Sequence, residues 1–225
     1  EIMPSLVGSE MCIRDSPYAE AGREIVCFSI SAGMSTSGNV MRLAAEELGA
    51  SDRIKVIDSA NLSTGIGLLV IEAAIMAKNN RTASRIVSEI ERLKPNVRAS
   101  FVVDTLTYLY RGGRCNAVAA MAGGVLKLHP RIVVEDGAMN ASKKYRGKIA
   151  SVVMNYVKDM EKDLKKARPE RVFITHSGCE QETVEKVRAY LKELDIFDEI
   201  LETRAGGVVS SHCGPGTLGV LYIAK

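Results

Sequence analysis

Four short stretches of this sequence gather the residue types that hold anions or move protons. The first is Ser29-Ile30-Ser31-Ala32-Gly33-Met34-Ser35-Thr36-Ser37-Gly38, between an apolar run and a helical one. Hydroxyls and glycines at a helix N-terminus make an anion site, because O–H donors, backbone N–H groups and the helix dipole converge there. A plain helix cap by Ser35 or Ser37 uses the same residues. The second stretch, Asp58 to Gly67, contains Gly65-x-Gly67, but Val70 stands where a dinucleotide loop has its third glycine. Nucleotide binding is therefore not expected, and Ser63 reads as a helix N-cap. The third runs from Asp104 to Arg114 and predicts a short helix stopped by Gly112-Gly113, with Arg111 and Arg114 placed to cap carbonyls or reach an anion.

The fourth stretch, Ala205 to Gly216, sets His212 in a loop of small residues. Glycines such as Gly214 let backbone amides approach a ligand closely, and an imidazole donates to a carboxylate. His176 closes a strand and reads as structural or interdomain, while His129 precedes a proline and is given no role. A different chemistry uses some of the same groups. Ser31 or Ser35 would be a nucleophile, His212 its base and Asp58 or Asp104 the orienter of a serine-dependent acyl hydrolase or transferase. Against it, the sequence has no Gly-x-Ser-x-Gly elbow.

Positioning these loops falls to an alternation of strands and helices. Strands are predicted at Glu24–Ile30, Ile54–Ile57, Ser100–Val103, Arg131–Glu135, Arg171–Thr175 and Leu218–Ala224. Helical spacing covers Asn39–Leu48, Thr64–Lys78, Thr82–Leu93, Ala117–Leu126, Lys148–Lys166 and Thr183–Leu194. The pattern implies an α/β fold of βαβ units, with sites at the loops beyond the strands' C-terminal ends. Asp136-Gly137 marks a hairpin turn. A domain boundary is placed near Leu128–Pro130, giving α/β domains over 1–128 and 129–225. Leu6–Ser16 fits neither period and is read as a foreign segment.

Composition narrows the function classes. A net charge of +3 with 5% aromatics and no Trp disfavours a dedicated nucleic-acid binder. Five cysteines without a CxxC pair, and three histidines, speak against zinc and for reduced thiols in the cytoplasm. No apolar run reaches the length of a membrane span, and no metal or cofactor is expected.

Together these stretches resemble the DegV family of bacterial fatty-acid-binding proteins, from about Glu24 onward. The resemblance rests on the Ser31–Ser37 loop, Val56-Ile57-Asp58-Ser59, Thr105-Leu106-x-Tyr108-Leu109-x-x-Gly112-Gly113-Arg114 and Leu126-Lys127-x-x-Pro130. It continues through the basic Lys143–Lys148 stretch and His212-x-Gly214-Pro215-Gly216-x-x-Gly219. It implies two α/β domains, an acyl chain in a tunnel and its carboxylate at the domain junction. It also implies a carrier, not an enzyme, that presents its acid to a separate fatty acid kinase. Ser31, Ser35, Arg114, His212 and Gly214 then match ligand positions, and Arg146 a surface arginine near the kinase contact. Ala32 replaces a family serine, Thr36-Ser37 replaces Gly-Thr, and an N-terminal strand and threonine loop precede this start in the family, so a truncation is expected.

Overall fold

A computed structural model describes residues 17, 18, 20–113 and 128–225. The Leu6–Ser16 segment, the helix expected over Ala117–Leu126 and Arg114 lie outside the described residues. The chain forms two compact units: one runs to Leu62 and resumes over Ile66–Pro95, and the other takes Ser63–Gly65 and Asn96–Lys225. By compactness the division thus falls at Pro95/Asn96 instead of at 128/129. The reason is pairing, since the strand at Val97–Val102 is hydrogen-bonded to strands that come later in the chain.

In the first unit β1 (Ile25–Ser29) and β2 (Ile54–Asp58) pair in parallel, with Ile25 opposite Ile54 and Ser29 opposite Asp58. The helix α1 (Ser37–Glu47) connects them and completes the expected βαβ unit. Its Ala45 joins Ala50 and Ile54 in a small core, with Ile25, Cys27, Leu48 and Val56 packed around it. Next come α2 (Thr64–Lys78) and α3 (Ala83–Leu93). Thr82 caps α3 by accepting from the Arg85 N–H at 3.4 Å, which leaves Ile86 and Ile90 to face inward. Ser63 has φ 50°, outside the extended conformation that helix N-caps use.

The second unit is built on a six-stranded sheet. Its strands are β3 (Val97–Val102), β4 (Leu128–Glu135), β5 (Ala138–Arg146), β6 (Ala167–Ser177), β7 (Glu199–Arg204) and β8 (Thr217–Ala224), in the order β5-β4-β3-β8-β6-β7. Only β6 and β7 are parallel; the other four pairings are antiparallel. The β4–β5 turn is the two-residue loop Asp136-Gly137, at φ 50° and 75°, as its sequence predicts. β8 slots between β3 and β6 and runs antiparallel to both, a placement with no local sequence signature.

The remaining helices among the described residues are α4 (Thr107–Arg111), α5 (Ile149–Asp159), α6 (Glu161–Leu164), α7 (Gln181–Glu193) and α8 (Gly207–Cys213). Helices α5 to α7 cover one face of the sheet. There Val152, Val153, Val157, Leu164, Val184, Val187 and Leu191 pack on Val172, Ile174, Leu218 and Val220. At about 1.5–3 kcal/mol for each fully buried aliphatic side chain, this layer is the main source of the unit's stability. Tyr156 is wholly buried within it and places its phenol oxygen at the β3–β8 seam. Among the described residues no helix is long and apolar enough to cross a membrane.

Candidate functional site

Each unit contributes a group of loops rich in polar side chains. In the first unit the loops leaving β1 and β2 lie side by side because their strands are parallel neighbours. The Asp58 carboxylate ties them together, accepting from the Ala60 N–H at 2.8 Å and the Ala32 N–H at 3.2 Å. The Ser31 N–H donates to Asn61 O at 2.9 Å, and the Ser59 N–H to Ser29 O at 3.2 Å. Asp58 is thereby committed to backbone amides.

The two candidate serines differ. Ser31 is buried, and its hydroxyl accepts from the Gly33 N–H at 3.2 Å. Ser35 is half-buried; its Oγ lies 2.7 Å from Ser37 Oγ and accepts from the Ser37 N–H at 3.2 Å. Two bonded hydroxyls use one of their hydrogens on each other, which leaves one O–H to point at a ligand. Thr36 takes the N-cap position of α1 without a side-chain cap bond, so neither Ser35 nor Ser37 is the N-cap that the sequence suggested. Close packing sets the entry of α1: a Cβ on Gly38 would stand 2.7 Å from Ser29 Oγ.

In the second unit His212 is not in a loop, as expected, but near the end of α8. Gly206, extended at φ −64° and ψ 167°, takes the N-cap position, and Gly214 at φ +78° stops the helix. The glycines that read as loop are the two ends of a single short helix, and Val208 and Val209 between them are weak helix formers. Ser210 and Ser211 turn their hydroxyls onto Ala205 O and Val208 O. The Gly214 N–H donates to Ser210 O at 2.8 Å, so an amide offered to a ligand is not what this glycine supplies. What it supplies is room, since a Cβ there would come within 2.3 Å of the Tyr108 ring.

Helices α4 and α8 therefore meet at two bare backbones, Gly112 under the His212 ring and Gly214 against Tyr108. The half-buried His212 imidazole makes no hydrogen bond among the described residues. Asp104 does not orient it; its carboxylate lies 3.4 Å from His129 Nδ1. His129, to which the sequence assigned nothing, also places Nε2 3.0 Å from Gly147 O and so joins β4 to the end of β5. His176 lies buried with Nε2 3.4 Å from Glu202, and Arg188 holds the same carboxylate at 2.6 Å. The hydrogen bond from Arg188 is the main reason the Glu202 carboxyl is held below its usual range. Cys213, next to His212, is pushed up to about 11 by burial, which keeps it an unreactive thiol. With Asp58 on amides and Asp104 on His129, neither unit assembles a nucleophile–base–orienter set from the groups named for a hydrolase.

On β5, Lys144, Arg146 and Lys148 beyond it are exposed. Lys143 is engaged, at 2.5 Å from Asp159, which also accepts from the Tyr145 hydroxyl at 2.7 Å. Burial opposes ionisation of Asp159, but the Lys143 and Tyr145 hydrogen bonds outweigh it and hold the carboxyl below its ordinary value. A depressed carboxyl contributes stability above its unfolded pKa, about 3.9, that is lost as pH falls through the folded value. Asp159→Asn should therefore be less stable than the wild type near pH 7, and the gap should be narrower at about pH 3, below the unfolded pKa. Urea midpoints at both pH values check this.

The model of the DegV family matches residues 10–225. A DegV domain-containing protein of Deinococcus radiodurans is 32% identical over 207 residues, covering 90% of this chain and 72% of that protein. The fatty-acid-binding DegV family protein of Thermus thermophilus superposes with a TM-score of 0.83 at 26% identity, over 99% of this chain and 77% of that one. A stearic acid-binding protein of Eubacterium ventriosum gives 0.81 at 26% identity, over 97% and 76%.

Proposed function

This chain belongs to the DegV family, and we propose that it buries a long-chain fatty acid and presents the carboxylate to a separate fatty acid kinase. The observation that carries the reading is likeness to the fatty-acid-binding protein of Thermus thermophilus over 99% of the chain. Physical chemistry supports it. Each buried methylene contributes about 0.8 kcal/mol, so an acyl chain supplies ample affinity. Its carboxylate cannot be buried bare and needs donors at one end. Ser35 with Ser37, Ser31 and His212 are donors of that kind, with Arg114 as the matching guanidinium. Gly214 acts through packing beneath Tyr108. An ionised carboxylate keeps a lone pair that can attack a phosphoryl group, and on this reading the chain is the carrier and the chemistry belongs to the partner. Arg146, exposed on β5, is the partner contact.

Protein purified from a bacterial host should release a long-chain fatty acid near one equivalent under denaturing mass spectrometry. Protein that carries none, and takes up none on incubation, sinks the reading. With a fatty acid kinase and ATP, the loaded protein should yield acyl phosphate trapped as the hydroxamate. Arg146→Ala should slow that yield about tenfold, the effect of losing one charged contact, and leave fatty-acid retention unchanged. Equal yields from the two proteins remove Arg146 from the partner surface.

A further inference from the structure

The two glycines that end α4 serve different purposes. Gly113 has φ +66°, and a Cβ there would meet nothing within 4 Å, so its backbone alone demands glycine. Gly112 has φ −74° and ψ −7°, a conformation open to any residue. Its demand comes from across the helix pair. A Cβ on Gly112 would stand 2.0 Å from His212 Nδ1, 2.8 Å from Cε1 and 3.2 Å from Cγ. The first two distances are closer than atoms can approach, so the Nδ1–Cε1 edge of the imidazole rests on the bare Cα of α4.

We propose that Gly112 is a positioning residue: by seating the Nδ1 edge of His212 against α4, it leaves Nε2 as the nitrogen that hydrogen-bonds the ligand's carboxylate. The identity of that carboxylate rests on the fatty-acid reading; the seating of the ring does not. An alanine methyl at 112 must rotate or expel the imidazole, because the contact is with the near edge of a ring and not with the end of a flexible chain. His212 itself has no further hydrogen bond among the described residues to hold it in place. A residue about a hundred positions away in sequence thus sets which nitrogen faces the ligand.

The test measures affinity for a long-chain fatty acid and for its methyl ester in the wild type, Gly112→Ala and Gly113→Ala, with ¹⁵N spectra of the histidine rings. The His212 signals are identified by their loss in His212→Ala. In Gly112→Ala the fatty acid should bind about tenfold more weakly, as for one lost hydrogen bond to a charged group. The ester should stay within about twofold, because its apolar burial is untouched. The His212 ring signals should move in Gly112→Ala and stay in place in Gly113→Ala. Unchanged fatty-acid affinity, equal losses for acid and ester, or unmoved His212 signals would each overturn the proposal. If the wild type binds neither ligand, the fatty-acid reading fails alone, and the ring signals still decide the seating. If Gly112→Ala fails to fold, the same substitution in a His212→Ala background should fold as well as His212→Ala alone. A double variant that also fails would show that Gly112 has some other task.

Discussion

Gly214→Ala is expected to destabilise the protein by about 2–5 kcal/mol, through backbone strain and overpacking together. At φ +78° and ψ 170° the backbone lies in a region essentially reserved for glycine, which costs an L-residue roughly 1–2 kcal/mol. The new methyl would also lie 2.3 Å from Tyr108 Cδ2 and 2.6 Å from Cε2. Something must shift, and overpacking of this kind costs about 1–3 kcal/mol. The two contributions can be separated. Tyr108→Ala in the Gly214→Ala background removes the collision and leaves the strain, so the alanine should cost about 1–2 kcal/mol there. Urea denaturation of the four proteins measures both. A Gly214→Ala variant within about half a kcal/mol of the wild type, the size of an ordinary surface substitution, would show that α4 and α8 are not locked at this point.

Tyr156→Phe should cost about 2–4 kcal/mol although it removes a single oxygen, because two buried backbone groups lose their partner. The phenol donates to Ser100 O at 2.8 Å and accepts from the Val220 N–H at 3.0 Å. Ser100 and Val220 are partners across the β3–β8 pair. A side chain from α5 thus completes the hydrogen bonding of two adjacent strands, and Ser100 Oγ adds a third contact at 3.0 Å. Burial pushes this phenol's pKa up, against the pull of its bonds to Ser100 and Val220. Arg131, 5.6 Å from the ring centroid, sits over its face. Ser100→Ala should be milder, since it spares both backbone contacts. Equal losses from the two substitutions would assign the effect to the serine hydroxyl instead.

Local periodicity and turn chemistry made much of the fold legible. β1 and β2 read as apolar runs, and Asp136-Gly137 announced its hairpin because two positive φ values in sequence demand such residues. β7 was missed, since Glu199, Glu202 and Arg204 on an edge strand mask the two apolar residues between them. The antiparallel direction of most of the second sheet was also hidden, because it depends on where β8 inserts and not on any residue near it. The candidate site shows the same limit. The hydroxyl loop and His212 stood out by residue type, whereas Tyr108 and the Asp104–His129–Gly147 link acquire meaning only from contacts between distant segments. Gly112 read as half of a helix stop because nothing local reveals the ring lying on it.

The position of β8 between β3 and β6 also sets an order of events during synthesis. β3, β4 and β5 can pair as soon as they leave the ribosome, and so can β6 with β7. Neither set can join the other until the residues through Ala224 have emerged, because Val97 pairs with Ile223 and Ser177 with Thr217. Until then the inner edges of β3 and β6 are open as well as the outer edges of β5 and β7, each able to pair with a neighbouring molecule. The second unit is therefore assembled from halves joined by its latest strand, whose arrival covers the inner edges of β3 and β6.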